Sequence, residues 1–486
     1  MHICVIGDGV AGLMAANLFA SRDYVTKVTN IGSSKIPTIG VGESTTLNFE
    51  SLHREFDSNF DSFICESNAC IKLGVLYSGW SENEFLHYFK HKFLFDRNQI
   101  TPIEYYNSLA NKNKEIYIHD LMGGKLIKDA KKNLIPAENS DQFYGKSWHF
   151  DAGKYILYLK KILKDKKVDQ IDDVVIDCKF KSKGDIEFII LESKRQVIAD
   201  YYIVCTGKHT NSSKIFQIEY QDLSNILLTD KALFFPKKYQ NKEKELHPYT
   251  IAKTMKYGWR WITPTWERVG TGYVFSSRYI GVEQAIEEFQ QDIGDMTIIP
   301  NVVDFYPKYS SKTFNKNYMT LGMCNGFLEP LDAPGLAISC ALTMIIDNIF
   351  RSNRLNENYQ KRLNEFVNEM YLGWAAFILS QYKTCNRSDT EFWVDHKNVK
   401  FDYLENLMNN LHNDYVRPEF SDIEDPNTII DAVRSDLKSM VQNTVSSRNI
   451  NWTTKCDTIP FKLDDSDYES QSHYSFLIKK HSGPLS

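Results

Sequence analysis

The sequence predicts an α/β protein built on a Rossmann-like βαβ unit, with an interleaved β-sheet lobe and a helical C-terminal region. Three observations predict it. A glycine loop follows a short apolar strand at the N-terminus. Strand-like segments recur through the middle of the chain. From Asp347 onward the apolar spacing is helical, with one strong apolar face over Tyr359 to Tyr382.

The first element is the strand Ile3, Val5, Ile6. Gly7-Asp8-Gly9-Val10-Ala11-Gly12 then turns into a helix carrying Leu13, Met14, Leu18 and Phe19. This is GxGxxG in the context that gives it meaning, after a strand and opening a helix. The first glycine allows the tight turn, the second lets backbone approach a pyrophosphate, and the third lets helix pack on strand. Free N–H groups at the helix start face the phosphates.

Tyr24 to Ile31 reads as the second strand. A dinucleotide site ordinarily has Asp or Glu about 20 residues past the last glycine to hold a ribose hydroxyl. That place is taken by Gly32, with Asn30 the nearest polar side chain, so the clamp reads as missing. Ile36 to Thr46 contains Gly40-Val41-Gly42-Glu43-Ser44-Thr45, small residues where backbone must pass close to something. Ala69 to Trp80 has strand composition with alternating faces. Lys72 within it reads by itself as an edge or solvent-facing residue, and a buried lysine there would need a reason.

Residues 95–150 read as polar and irregular, and Lys154 to Lys167 as an amphipathic helix. Val174 to Val197 reads as two strands joined at Ser182 to Asp185. Ala199 to Gly207 is an apolar strand ending on a small turn at Thr206-Gly207, and residues 234–250 read as a solvated lysine-rich loop. Tyr257 to Arg278 packs Trp259, Trp261 and Trp266 into two antiparallel strands with a turn near Arg268. Leu321 to Cys340 places a turn between a strand and a helix that begins near Gly335. The tail beyond Phe461 reads as polar and mobile.

At 486 residues the chain exceeds one ordinary domain. The division expected is a module over 1–350, with an interleaved lobe at 80–200 and 215–315, and a helical region over 351–486. A net charge of -5 gives no reason to expect nucleic acid. Of 57 basic residues 14 are arginine, a lysine bias that reads as the mark of an AT-rich genome and not as a binding patch. The aromatic content, 13%, is enough to line a pocket for a flat substrate. The nine cysteines form no CxxC pair, which points away from metal and towards free thiols in a reducing cytoplasm. No signal peptide is seen. The longest apolar run, Leu336 to Ile346, is too short to cross a bilayer and stops at Asp347, so no membrane is expected.

Taken together and in order, GxGxxG, Gly40-Val41-Gly42-Glu43-Ser44-Thr45, Lys72 in Ile-Lys-Leu-Gly, Trp259-Arg260-Trp261 followed by Pro264, Gly270-Thr271-Gly272, and Gly326-Phe327-Leu328-Glu329-Pro330-Leu331-Asp332 resemble the flavin-dependent halogenases of the tryptophan halogenase family. The resemblance runs discontinuously from residue 1 to about 350, and its most specific part is the Trp-x-Trp segment. It implies the FAD-binding monooxygenase/halogenase fold. It also implies use of FADH2, O2 and a halide ion to make hypohalous acid, which reaches a lysine through a tunnel and is delivered to an electron-rich aromatic ring.

Carried over by motif, the resemblance makes the lysine Lys72 and the carboxylate beside the ring Asp332, with Glu329 expected as a further catalytic acid. Trp259, Trp261 and Phe327 would wall substrate from flavin. The flavin would lie on Gly7, Gly9, Val10, Ala11, Gly12, residues 40–45, Thr206, Gly207 and Leu336. Pro334 and Gly335 stand where the family holds halide. The resemblance further implies a separate flavin reductase, a small aromatic substrate and a homo-oligomer.

The departures are specific. Gly32 replaces the family's acidic residue, so flavin is expected to be weakly held. The second motif is WRWITP where the family has WxWxIP. Asp332 replaces Glu and is one methylene shorter. Ala333-Pro334-Gly335 replaces Ser-Thr-Gly, and Pro334 has no N–H. Bromide or iodide is therefore expected to be preferred to chloride. The competing enzyme reading is an FAD-dependent aromatic hydroxylase using NAD(P)H, which needs neither Lys72 nor the tryptophan wall.

Overall fold

The computed structural model describes residues 1–36, 43–82, 84–89, 129–138, 146–166, 168–207, 210–353, 355–409 and 470–482. Gly40, Val41 and Gly42 lie outside the described residues, as does the side chain of Glu43.

The N-terminal unit is a βαβ: β1 (His2–Ile6), α1 (Val10–Ala20) and β2 (Lys27–Gly32). β1 pairs in parallel with β2 on one side and with Tyr201–Val204 on the other. Tyr318–Thr320 and Asp169–Asp172 extend this sheet, and Phe314–Asn315 closes one edge antiparallel, giving six strands. The apolar strand read at Ala199 to Gly207 thus lies beside β1.

The second large sheet has seven strands, in the order Asn301–Asp304, Lys231–Lys237, Val269–Phe275, Gly258–Pro264, Thr250–Met255, β5 (Gly74–Ser78) and β6 (Phe85–Tyr88). Its pairs are antiparallel except one: Thr250–Met255 runs parallel to β5, with Thr250 opposite Val75. A third, small sheet joins β3 (Glu43–Ser44), Ser147–Phe150 and β4 (Cys70–Lys72).

The fold departs from the sequence reading in several places. The segment Ala69 to Trp80 is two strands, β4 and β5, in two sheets, and no alternation survives because residues 69–77 are all buried. Ser147–Phe150, expected to be irregular, is a fully buried strand. Residues 234–250 contain the end of a strand and the short helix Lys242–Glu245. The tail also docks. Ser470–Ser472 pairs with Leu134–Pro136, and the helix His473–Ser482 buries His473, Phe476 and Leu477.

The helix Pro334–Ser352 is long and apolar enough, by length and composition, to cross a membrane. It is nevertheless packed into this fold, and its buried Asp347 takes the guanidiniums of Arg22 and Arg351 and the hydroxyl of Tyr24. It leads into Glu357–Lys383, whose Trp374 to Tyr382 stretch is buried. One continuous apolar core takes in Ile3, Tyr77, Trp259, Ile346, Phe377 and Leu477, and so spans residue 350.

Candidate active site

The glycine loop has the geometry the motif demands. Gly7 sits at φ +122°, and a Cβ on it would lie 2.2 Å from the Cys205 carbonyl oxygen. A Cβ on Gly12 would lie 2.3 Å from the Gly7 carbonyl oxygen. α1 starts with no side-chain cap and no acid in its first turn, so its first N–H groups, from Val10 and Ala11 onward, are open to an anion. Gly207, after the returning strand, has φ +70° and nothing within 4 Å of the place its Cβ would take. The cradle fits a dinucleotide phosphate.

Lys72, at the end of β4, is completely buried and does not face solvent. Its Nζ donates to the main-chain carbonyl of Thr45 at 2.8 Å and stands 4.4 Å from the centre of the Phe89 ring. Among the described residues no carboxylate forms an ion pair with it. Burial pulls its pKa down to about 7, with the charge of Asp332 acting in the opposite direction. A neutral, nucleophilic amine is therefore accessible near neutral pH.

Three contacts fix the strand that carries it. The Ser147 hydroxyl donates to the Lys72 carbonyl at 2.7 Å. The Leu73 N–H reaches the Pro248 carbonyl, also at 2.7 Å. The Ile71 N–H donates to His473 Nε2 at 3.2 Å, so the docked C-terminal helix braces the lysine strand from behind.

Asp332 is the second buried charge. The Tyr77 hydroxyl donates to its Oδ2 at 2.5 Å, and His87 Nδ1 lies 3.6 Å from the same oxygen. Its Oδ1 is buried and, among the described residues, accepts no hydrogen bond. Burial pushes the carboxyl up, but His87, Lys72 and Tyr77 together hold it below its ordinary value. Asp332 is thus an anion with one oxygen anchored and one unused. Its backbone is strained: φ is +61° at Asp332 and +62° at Ala333. Left-handed geometry costs roughly 1–2 kcal/mol per non-glycine residue, a cost that positions the carboxylate directly ahead of the helix Pro334–Ser352.

That helix opens with Pro334 at its first turn, with no side-chain cap and no acid there. Pro334 supplies no N–H, which leaves the amides of Gly335 and Leu336 as the free donors. A Cβ on Gly335 would meet only the Phe327 ring, at 3.9 Å.

Trp259 and Trp261 lie on Gly258–Pro264 with ring centres 6.3 Å apart. Trp261 packs over Gly272, where a Cβ would sit 2.1 Å from the indole. The Trp259 N–H donates to Glu329 at 3.2 Å. Glu329 also accepts from Thr229 at 2.6 Å and from Tyr382 at 2.9 Å. The structure therefore brings Lys72 and Asp332 within each other's electrostatic reach, whereas Glu329 spends its hydrogen bonds on Trp259, Thr229 and Tyr382. Burial raises Glu329 to about 7 against those three donors.

Tyr77, His87 and His473 are not singled out by the sequence. A register signal exists only for the first two. His87 is paired opposite Val75, which puts it on the same face as Tyr77 two residues on. Among the described residues, no group of three or more His, Cys, Asp or Glu side chains is placed to hold a metal ion.

The tryptophan halogenase family profile matches residues 2–425. The chain belongs to the tryptophan halogenase family. A tryptophan 7-halogenase from Lentzea aerocolonigenes is 27% identical over 419 residues, covering 82% of this chain and 79% of its own length. Among solved structures, a tryptophan halogenase from Shewanella frigidimarina superposes with a TM-score of 0.82 at 21% identity, covering 99% of this chain and 98% of its own. A tryptophan C-6 halogenase (chlorinase) from taromycin biosynthesis gives a TM-score of 0.76, again at 21% identity, over 92% of this chain and 96% of its own. As a member of this family the halogenase is an FADH2-dependent oxidoreductase that works with a separate flavin reductase. Its interleaved sheets and helical C-terminal region are the family's fold.

Proposed function

We propose that this halogenase installs bromine or iodine on an electron-rich aromatic ring, an indole or a phenol. The observation that carries the reading is the buried, unpaired-by-charge amine of Lys72 within electrostatic reach of Asp332. The residues fit FAD: the Gly7 to Gly12 loop and the open start of α1 would hold the diphosphate, and Thr206 and Gly207 border the same edge. When bound and reduced, FAD supplies hypohalous acid from O2 and halide.

Lys72 holds that small electrophile by hydrogen bonding and polarises its O–X bond. The ring forms the carbon–halogen bond as the O–X bond breaks, and the leaving oxygen takes a proton from Lys72 and departs as water. Asp332 Oδ1 takes the proton displaced from the ring, acting as counter-charge and general base. Phe89 lies against the Lys72 amine and His87 beside Asp332, and the two rings pack with centres 5.4 Å apart. Trp259 and Trp261 keep the ring away from the flavin. Halide sits at the start of Pro334–Ser352 on the amides that remain there. A cytoplasmic setting fits the free thiols.

The test supplies reduced FAD, bromide and an indole or phenol, and reads product mass. A bromine isotope doublet supports the reading. A product heavier by one oxygen, made with NAD(P)H, would replace it with the hydroxylase.

A further inference from the structure

The place where a dinucleotide fold keeps its ribose-binding acid is Gly32, at the end of β2. It is not vacant. A Cβ built on Gly32 would lie 2.3 Å from Asp8 Cγ, 2.5 Å from Asp8 Cβ and 2.5 Å from Asp8 Oδ2. The carboxyl group of Asp8, the second residue of the glycine loop, fills the space that a side chain at 32 would enter. Glycine is thus the residue type at 32 that is compatible with this placement of Asp8.

The loop is held there. The Gly7 N–H donates to the Ile31 carbonyl at 2.7 Å, and Asn30 Nδ2 donates to the Gly7 carbonyl at 3.1 Å. On the far side, Lys160 Nζ, from the helix Ala152–Asp165, donates to Asp8 Oδ2 at 2.6 Å. That contact fixes the rotamer and offsets a negative charge standing beside a diphosphate site. Among the described residues Oδ1 of Asp8 accepts no hydrogen bond. A half-exposed ion pair adds little to stability and gives no reason for a glycine at 32. A carboxylate with one oxygen anchored and one open, at the carboxyl edge of parallel β1 and β2, has the chemistry of a diol acceptor.

We propose that Asp8, oriented by Lys160, accepts the ribose hydroxyls of the adenosine half of FAD, in place of the missing acid at position 32. This rests on the FAD reading of the site. It also removes the reason for expecting weak flavin binding from Gly32: the acid is present, supplied by the loop and not by the strand.

The test measures dissociation constants of oxidised FAD and of FMN, which lacks the adenosine half, by fluorescence quenching. The proteins are the parent, Asp8→Ala and the double variant Asp8→Ala/Gly32→Glu, each checked for folding by its thermal melt. A charge-assisted hydrogen bond predicts that Asp8→Ala weakens FAD on the order of tenfold or more and leaves FMN unchanged. The double variant should regain most of the loss, because the acid is returned to the strand in the space Asp8 vacated. FAD binding unchanged or tighter in Asp8→Ala, or FMN weakened as much as FAD, overturns the proposal and leaves the FAD reading standing. A parent that binds FMN but not FAD overturns both.

Discussion

The side-chain nitrogen of Lys72 and the main-chain carbonyl of Thr45 are 2.8 Å apart, and that neutral oxygen is the lysine's hydrogen-bond acceptor among the described residues. A carbonyl holds either form of the group without neutralising it. Replacement of Lys72 by Ala should therefore abolish halogenated product while oxidation of FADH2 and release of free hypohalous acid continue. Near-normal product formation would reject Lys72 as the delivering residue.

The same burial makes Lys72 a stability cost whose sign can be followed with pH. Its pKa falls from 10.5 to about 7 on folding. Below pH 7 both states hold the proton and the folded protein bears a buried charge. As pH rises from 7 towards 10.5 the folded state sheds the proton while the unfolded chain keeps it, so stability increases. Each tenfold loss of proton affinity on folding corresponds to about 1.4 kcal/mol. Lys72→Met should melt higher than the parent at pH 7, with the gap closing towards pH 10. Equal melting temperatures at pH 7 would contradict this.

Glu329 has the opposite sign. Its folded pKa is raised from 4.5 to about 7, so the stability it confers is full below 4.5 and is lost as pH rises through 7. Glu329→Gln keeps an acceptor for the Trp259 N–H and cannot ionise. It should match the parent at pH 5, exceed it at pH 8 in thermal melts, and still form product. Loss of product at pH 5 with an unchanged melt would make Glu329 a catalytic group.

The bond from Ile71 to His473 ties the C-terminal helix to the residue before Lys72. His473→Ala leaves a buried N–H without its acceptor, a loss of about 1–3 kcal/mol. Product per FADH2 oxidised should fall more than the rate of FADH2 oxidation, since the lysine strand loosens while the nucleotide cradle is untouched. Parallel loss of both rates would assign His473 to general stability alone.

The halide preference proposed above rests on Pro334 and can be tested directly. Chloride is the smallest and most strongly hydrated of the three usable halides, so a missing amide donor penalises it most, by roughly 0.5–1.5 kcal/mol. kcat/KM measured at fixed FADH2 and substrate should rank bromide and iodide above chloride. Chloride equal to or better than bromide would refute the argument. Pro334→Thr should shift preference towards chloride.

What is legible in the sequence is local. The glycine loop, the Trp-x-Trp strand and the turn from Gly326 to Asp332 each carry their message within about ten residues, and each folds as read. Lys72 reads correctly as a strand residue, but only the fold reveals that β4 is covered on all sides. Tyr77 and His87 share a hairpin face, but Asp332, which both approach, lies 255 positions from Tyr77, and His473 lies 402 positions from Ile71, contacts that no local pattern announces. Gly32 reads as a vacancy because its occupant, Asp8, lies 24 positions earlier and reaches it through the turn of the loop.

Thr250–Met255 joins the lysine region to the tryptophan strand, pairing in parallel with β5 on one side and antiparallel with Gly258–Pro264 on the other. The sheet therefore works as a gauge. Strand register sets the span from the tryptophans to Gly74, two residues past Lys72, and a slip of two residues in either pairing would change it by roughly 7 Å. Substrates of different size must then be accommodated by exchanging side chains along the span. An insertion or deletion inside Gly74–Ser78 or Thr250–Met255 would shift Trp259 and Trp261 relative to β4, even in a protein that folds.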